Sequence, residues 1–149
     1  MGFYSSIEVS ASGLSAERLA MDTIANNIAN VNTTRTPEGG PFKRQLVVYA
    51  QKAEPTQAAA GAVDDDGDPA KSRAGVKAVG IVPDNGPDRL VYDPTHPDAD
   101  QNGYVHMPNI DVVKEMVDMM AASRAYEANV TAIQEARAMG NTTLGLLKA

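Results

Sequence analysis

Apolar residues at heptad spacing occupy both ends of the chain, and this pattern constrains the fold more than any other feature. A seven-residue repeat keeps two helices in contact along their length. Near the N-terminus the repeat runs through Ile7, Leu14, Met21 and Ile28. In the C-terminal segment, steps of four and three residues alternate through Val112, Met116, Met119, Ser123, Tyr126, Val130, Ile133, Arg137, Gly140, Leu144 and Leu147. The sequence therefore predicts two long helices that pack antiparallel to each other.

Both predicted helices have recognisable ends. Asn and Thr residues around Val31 favour local side-chain to backbone bonds, and a Pro- and Gly-rich stretch follows them. The first helix is therefore predicted over residues 5–31. At the start of the second, Asn109 could cap exposed amides and Asp111 would lie in the favourable first turn. The second helix is predicted over residues 109–147.

A second apolar row on the C-terminal helix widens its apolar face beyond what one partner helix would cover. The chain is 43% hydrophobic but only 5% aromatic, with no Trp, so small side chains dominate and suit close-packed helices. For either helix alone, burial in an ordinary core is the simpler interpretation. Two such helices favour mutual packing, and the surplus width favours additional partner chains. The second row comprises Val113, Val117, Met120, Ala121 and Ala128.

A different composition separates the two helices. Residues 51–74 show no periodicity and are expected to form a mobile loop or a long hairpin tip. Short β-branched or aromatic segments bounded by Gly, Pro and Asp predict four strands, over residues 42–49, 75–82, 89–92 and 103–107.

The predicted fold class is α+β, with antiparallel N- and C-terminal helices of coiled-coil type and a small β-rich insert between them. Residues 1–34 and 108–149 would form the two parts of a helical core domain. Residues 35–107 would form the β-rich insert. This division follows the change from heptad spacing to short strand-like segments and back.

Charge and composition exclude several classes of function. The net charge of −6 and the pI near 4.8 argue against nucleic acid and against anionic membranes as partners. The absence of cysteine removes disulfides, thiolate metal sites and thiol nucleophiles. No apolar run is long enough for direct membrane insertion, and no cleaved secretory signal is expected at the N-terminus.

The candidate chemical motifs are weak. Residues 98–103 match the first six positions of a calcium loop, but Asn109 stands where a bidentate Glu is needed, so a turn is the favoured interpretation. His96 and His106 have no nucleophile elbow to serve. We therefore expect no catalytic residue, no metal ligand and no cofactor.

Two segments resemble the signatures of a known family. Residues 12–33 (Ser-Gly-Leu-Ser-Ala-Glu-Arg-Leu-Ala-Met-Asp-Thr-Ile-Ala-Asn-Asn-Ile-Ala-Asn-Val-Asn-Thr) resemble the N-terminal signature of bacterial flagellar rod and hook proteins. Residues 107–116 (Met-Pro-Asn-Ile-Asp-Val-Val-Lys-Glu-Met), followed by residues 125–129 (Ala-Tyr-Glu-Ala-Asn), resemble their C-terminal signature. The stretches 34–42 and 90–100 are similar to the proximal rod members in particular, whereas most of the family continues with a Gly and an aromatic residue. The resemblance covers all of the chain except residues 51–74.

The resemblance implies a structural subunit of the flagellar rod, the drive shaft of the basal body, which serves motility and has no catalytic residues. It implies export through the flagellar type III apparatus, and partners that comprise that apparatus, other rod subunits and copies of the same chain in a helical assembly. Another axial subunit, from the distal rod or the hook, is the alternative within the family. A soluble binding module and an enzyme are the alternatives outside it.

The candidate functional residues are those expected at subunit contacts. Asparagine side chains near the end of the first helix could fix register between neighbours, with plain helix capping as the simpler alternative. Tyr126 is expected to anchor the seam of the C-terminal helix, which is the row of heptad positions that faces a partner helix. The full set of expected assembly residues is Ile7, Leu14, Met21, Asn26, Asn27, Ile28, Asn30, Met116, Met119, Tyr126, Asn129 and Ile133.

Overall fold

The computed structural model describes residues 3–52 and 75–147 and shows two long helices flanking four short strands. Most of the stretch expected to be a loop, residues 53–74, lies outside the described residues. The fold class is α+β, as the heptads and strand-like segments predicted. The elements are α1 (Phe3–Ala29), β1 (Gln45–Gln51), β2 (Val76–Pro83), β3 (Arg89–Tyr92), β4 (Tyr104–Met107) and α2 (Val112–Leu147).

The two helices pack against each other and run antiparallel, as predicted. The position that a side chain would occupy at Gly13 lies 3.0 Å from the amide nitrogen of Asn129. Asn27 Nδ2 lies 3.1 Å from a carboxylate oxygen of Glu115. Moving fourteen residues forward along α1 therefore moves fourteen residues back along α2. In this register, the numbers of an α1 residue and of the α2 residue level with it add up to 142.

The buried faces of the helices keep the heptad period but are shifted from the predicted rows. On α1 the fully buried residues are small or polar and lie beside the row of large apolar residues. Small side chains let the two backbones approach, so the bulky residues flank the contact and stay half-buried. On α2 the buried row lies one residue before the expected row through Met116. The buried residues are Ala16, Thr23 and Asn27 on α1, with Glu115, Ala122 and Ala136 on α2.

Helix α2 begins later than predicted. Asp111 Oδ1 accepts hydrogen bonds from the backbone amides of Val113 at 2.9 Å and Lys114 at 3.4 Å, which makes Asp111 the N-cap. Asn109 therefore does not cap the helix, and Asp111 lies before the first turn instead of inside it. The four predicted strands are all present, with β1 displaced toward its C-terminal side.

In the residues of the insert that the structure describes, there are two separate two-stranded antiparallel sheets. In the first, β1 pairs with β2 from Gln45 opposite Pro83 to Gln51 opposite Val76, with an irregularity between Val48 and Tyr49. In the second, β3 pairs with β4 from Arg89 opposite Met107 to Tyr92 opposite Tyr104. Two-stranded sheets are marginally stable by themselves, so the insert depends on contacts with the rest of the chain.

The β1–β2 hairpin lies on α1. Ser12 Oγ accepts a hydrogen bond from the backbone amide of Val76 at 3.1 Å, and the Tyr49 hydroxyl donates to the carbonyl of Ala16 at 3.5 Å. Gly75 has a φ of 83°, and a Cβ there would lie 2.2 Å from Ser12 Oγ. Only glycine fits at this crossing, because both the backbone conformation and the close approach exclude a side chain.

The core is small. Within residues 3–52 and 75–147, the fully buried hydrophobic residues are three alanines, Val105 and Ile110. Val105 comes from β4 and Ile110 immediately precedes α2, so the larger buried side chains lie where the insert meets the helices. No helix in the described part of the chain is long and apolar enough to cross a membrane.

Candidate assembly surface and polar helix junction

A buried carboxylate lies where α1, β1 and α2 meet. The Glu115 side chain, in the first turn of α2, has no exposed surface. Its Oε1 accepts a hydrogen bond from Arg44 Nε at 2.6 Å, and its Oε2 accepts one from Asn27 Nδ2 at 3.1 Å. Both carboxylate oxygens therefore have donors, which is the condition under which a buried charge is tolerated. We call Asn27, Arg44, Gln45 and Glu115 the polar junction.

Asn27 also holds the first residue of β1. Its Oδ1 accepts a hydrogen bond from the Gln45 backbone amide at 2.8 Å, and its Nδ2 donates to the Gln45 carbonyl at 2.9 Å. The side-chain amide of Asn27 thus satisfies both backbone groups of Gln45, as the peptide group of a neighbouring strand would. No other side chain of similar size offers a donor and an acceptor in this geometry. Asn27 therefore joins the end of α1 to the start of β1.

Arg44 is surrounded by carboxylates. Besides its bond to Glu115, its guanidinium lies 3.5 Å from the carboxylate of Asp118 and 4.0 Å from that of Asp84. The Asp118 and Asp84 side chains keep solvent contact, so these two interactions contribute less than the buried one. The fork of guanidinium donors lets one Arg bind acceptors from α2 and from the chain after β2.

Two neighbouring asparagines complete the C-terminal end of α1. Asn26 Nδ2 donates to Gln45 Oε1 at 3.0 Å, and Asn30 Nδ2 donates to the Asn26 carbonyl at 2.9 Å. Thr33 Oγ1 then donates to Asn30 Oδ1 at 3.1 Å. These bonds satisfy groups that a helix end leaves open. Asn26 is exposed and Asn30 half-buried, so both retain surface for a neighbouring chain.

The outer face of α2 carries large apolar side chains next to the polar junction. Val113 is 71% exposed, Met116 is 54%, and Val117 and Met120 are each 53% exposed. Their spacing places them on one face of the helix, opposite the seam with α1. We call these four residues the α2 stripe. An exposed apolar row of this kind is a candidate interaction surface.

The other end of α2 extends beyond α1. In the observed register Phe3 lies level with Met139, so residues 140–147 continue past the first described residue of α1. Eight residues of helix span about 12 Å. Met139 is 64% exposed and Leu144 is 57% exposed. We call residues 140–147 the α2 overhang: in its described part Leu144 is the exposed large apolar residue, and no α1 residue of the described chain lies level with it.

Comparison with known proteins identifies the family of this chain. Residues 7–35 match the family model described as flagella basal body rod protein, and residues 101–146 match the one described as flagellar basal body rod FlgEFG protein C-terminal. The chain is 45% identical to the flagellar basal-body rod protein FlgC of Borreliella burgdorferi over 99% of both chains. The chain belongs to the FlgC family of flagellar basal-body rod proteins.

Other relatives agree across bacteria. The chain is 41% identical to FlgC of Bacillus subtilis, over 93% of this chain and 94% of the relative. It is 36% identical to FlgC of Salmonella typhimurium over 98% of each chain. Membership of the FlgC family makes the chain a structural subunit of the flagellar basal-body rod and not an enzyme. The alignment over nearly the whole chain favours FlgC over the alternative of a distal rod or hook subunit.

The expected assembly residues fall into different environments in this FlgC-family chain. Asn27 is only 1% exposed and its amide is used within the chain, so it belongs to the interior and has no surface for a neighbour. Met116 lies outside, in the α2 stripe. Asn129 bonds to the carbonyl of Ala125 and lies beside Gly13. The half-buried members, with part of each residue still accessible, are Ile7, Leu14, Met21, Ile28, Met119, Tyr126 and Ile133.

Arg44, Gln45 and Glu115 were missed by the sequence interpretation. Glu115 lies seven residues before Ala122, in the same heptad position, and this spacing was the available signal. A charged residue in a seam position is normally read as solvent-facing, because burial of an unpaired charge is costly. Its partner Arg44 is 71 residues away in sequence, and nothing in the local pattern around it indicates that contact.

The insert offers no convergent chemical site among the described residues. No group of three His, Cys, Asp or Glu side chains there could hold a metal ion. In the segment that resembles a calcium loop, Asp100 Oδ1 accepts hydrogen bonds from the backbone amides of Asn102 and Tyr104, each at 2.8 Å. The bond from Tyr104 is the main cause that holds the pKa of Asp100 below its usual value. Asp98 accepts a hydrogen bond from Thr34. Asp100 therefore acts as a turn acceptor, and Asp98 connects the turn to the segment after α1.

Proposed function

We propose that this rod subunit polymerises through its terminal helices into the proximal part of the rod, and so transmits torque along the drive shaft. The contacts would be formed by the α2 stripe, the α2 overhang and the half-buried large residues that flank the seam. The occupants of these surfaces would be the terminal helices of neighbouring rod subunits, both copies of this chain and other members of the rod. Nucleic acid is not proposed as a partner, given the net charge of −6.

The observation that supports this proposal best is the α2 stripe. The stripe residues lie on a regular helix yet expose more than half of their surface, while a carboxylate occupies the inward face of the same turns. Apolar burial stabilises by about 25 cal/mol per Å² of surface removed from water. A neighbouring helix that covers the stripe would gain this contribution, which the single chain leaves unused.

The division of the chain into parts is also proposed. Residues 1–34 and 108–149 would act together as the polymerising unit, and residues 35–107 would be carried at one end of it. The polar junction supports this arrangement, because Arg44 and Gln45 connect the insert to both helices at one place. The contacts of the β1–β2 hairpin with α1 add a second attachment.

We also propose that the chain reaches the rod through the flagellar type III export apparatus without cleavage of a signal peptide. The small core supports this route, because a chain that buries few large side chains unfolds readily for passage through an export channel. Blocking the flagellar export apparatus should leave the chain inside the cell. Recovery of a chain with a cleaved N-terminus from basal bodies would contradict the proposal.

A pair of substitutions tests the assembly surface. Val117→Lys places a charge in the α2 stripe, and Leu90→Lys places the same charge on β3 at similar exposure, 53% against 57%. Both residues are open to solvent in the single chain, so both variants should fold, as circular dichroism would confirm. We expect Val117→Lys to reduce the number of completed basal bodies and swimming by at least about tenfold, and Leu90→Lys to have a smaller effect.

The reverse ranking would contradict the proposal. If Val117→Lys assembled rods at the normal number while Leu90→Lys did not, the insert and not the helices would carry the contacts. Equal and normal assembly of both variants would show that the α2 stripe does not contact a neighbour closely enough to exclude a charge.

A further inference from the structure

The connection between the two helices does not by itself fix how they slide past each other. In an ordinary antiparallel helix pair a loop of a few residues joins the helices and sets their register. Here residues 30–111 intervene, and the described part of this stretch forms two separate small sheets. The register of α1 against α2 must therefore be set by contacts along the seam or at its ends.

Most of the seam is made of small side chains that discriminate poorly between registers. Ala16 on α1, with Ala122 and Ala136 on α2, have no polar side-chain atom and little shape, whereas Gly13 accommodates the side chain of Asn129. A heptad repeat of such residues presents nearly the same surface after a shift of seven residues, a displacement of about 10 Å. Close approach of the helices is therefore compatible with more than one register.

The polar junction is different because it is directional and buried. Glu115 is fully buried and receives one donor from α1, Asn27, and one from the chain before β1, Arg44. A shift of seven residues in one direction would set Glu115 level with Ala20, and in the other would set it beyond the end of α1. In either case Glu115 would lose its bond to Asn27.

We propose that the polar junction is a register pin, which selects one alignment of α1 against α2 and attaches the insert in the same step. A single buried polar contact that specifies helix register is a well-attested use of such groups. The one side chain of Asn27 binds Glu115 and both backbone groups of Gln45. All these bonds therefore form only when α1, β1 and α2 are in place. The inference concerns the single subunit and holds whether or not the α2 stripe contacts a neighbour.

The absence of cysteine allows a direct test by disulfide trapping in the full-length subunit in solution. Ala20 and Ala122 lie level in the observed register, so the pair Ala20→Cys/Ala122→Cys reports the native alignment. The pair Ala20→Cys/Asn129→Cys reports an alignment shifted by seven residues. With the junction intact, the native pair should cross-link and the shifted pair should not.

The test variant replaces the pin by apolar residues of similar size, Asn27→Leu/Arg44→Met/Glu115→Leu. Removal of both charges together avoids an unpaired buried charge, so the helices can still pack. We expect cross-linking of the shifted pair to rise on the order of tenfold, the change that loss of one charged hydrogen bond produces in an equilibrium constant. Thr23→Val is the matched control, because the Thr23 hydroxyl is buried but bonds only to the Leu19 carbonyl of its own helix.

A triple variant that folds and still cross-links only through the native pair would overturn the proposal, since the register would then be set elsewhere. A rise of the shifted product in Thr23→Val would also overturn it. If the triple variant does not fold, Arg44→Met/Glu115→Leu decides: it removes both charges together and takes away the acceptor that binds Asn27. In that variant, increased cross-linking of the shifted pair supports the register pin, and unchanged cross-linking of that pair contradicts it.

Discussion

The first turns of α2 and its middle are arranged in opposite ways. In the middle, small apolar residues such as Ala122 face α1, and charged residues such as Arg124 and Glu127 face outward. In the first turns the charged Glu115 faces inward, and the α2 stripe faces outward. The middle of α2 therefore buries its apolar residues and exposes its charged ones within one chain. The first turns pair their buried charge within the chain and leave their apolar surface exposed.

This inversion has a physical cause in what each contact can specify. Apolar contact is non-directional and scales with area, so it suits attachment of a neighbouring subunit over a broad surface. A buried ion pair contributes little net stability but is costly to break, so it suits the selection of one geometry. At the start of α2 the two kinds of contact lie on opposite sides of the same helix.

The largest effect on the single chain should come from breaking the ion pair of the polar junction. Arg44→Met leaves the Glu115 carboxylate buried without its closest donor, and we expect a loss of about 3–5 kcal/mol in the free energy of unfolding. Arg44→Met/Glu115→Leu removes both charges and should recover most of that loss. Urea denaturation monitored by circular dichroism measures both. A single variant as stable as the parent chain would show that Glu115 is not held as the structure describes.

A smaller effect, on the thermal midpoint, should distinguish the seam between the helices from the α2 overhang. A Cβ at Gly13 would lie 3.0 Å from the side chain of Asn129, whereas one at Gly145 meets nothing within 4 Å. Alanine gains about 1 kcal/mol of helix propensity over glycine at either place. Gly145→Ala should therefore raise the thermal midpoint, and Gly13→Ala should raise it less or lower it, because Asn129 must move. Equal gains in both variants would mean that the helices are not in close contact at Gly13.

Part of this arrangement could be predicted from the sequence. The heptads predicted two antiparallel helices, because the seven-residue repeat is visible in the sequence whichever helix face is buried. The strands followed from β-branched runs between Gly and Pro. The buried row was misplaced by one residue on α2, because Met116 is the more hydrophobic choice and Glu115 the less. The inward position of Glu115 depends on Arg44, which no local pattern connects to it.

The asparagines near the end of α1 show the same division: local sequence predicts the bonds of one, and only the fold determines the bonds of the other. Helix-end bonding by Asn30 follows from residue type and position near the end of α1. The pairing of Asn27 with the backbone of Gln45 requires the fold, because the two residues are 18 apart and no local pattern indicates that they meet. The sequence therefore predicted Asn27 at a subunit contact, whereas the structure places it inside the chain.

The smallest expected effect lies in the insert. The pKa of Asp100 is lowered chiefly by the backbone bond from Tyr104, so its ionised form stabilises the fold. That contribution is present above the unfolded carboxyl value of ~3.9 and is lost as pH falls through the lower folded value. Asp100→Asn should therefore lower stability at neutral pH and flatten its decline in acid. Parallel unfolding curves for variant and parent between pH 6 and pH 2 would contradict this.

Thiol protection at the α2 stripe tests the central claim most directly. Val117→Cys introduces a single thiol, because the chain has no cysteine, at a position that is 53% exposed in the single chain. We expect rapid labelling by a maleimide in the free subunit and at least about tenfold slower labelling in purified basal bodies, where a neighbouring helix would cover the thiol. Leu90→Cys on the insert calibrates reagent access. Equal labelling of Val117→Cys in free subunits and in intact rods would show that the α2 stripe is not an assembly contact.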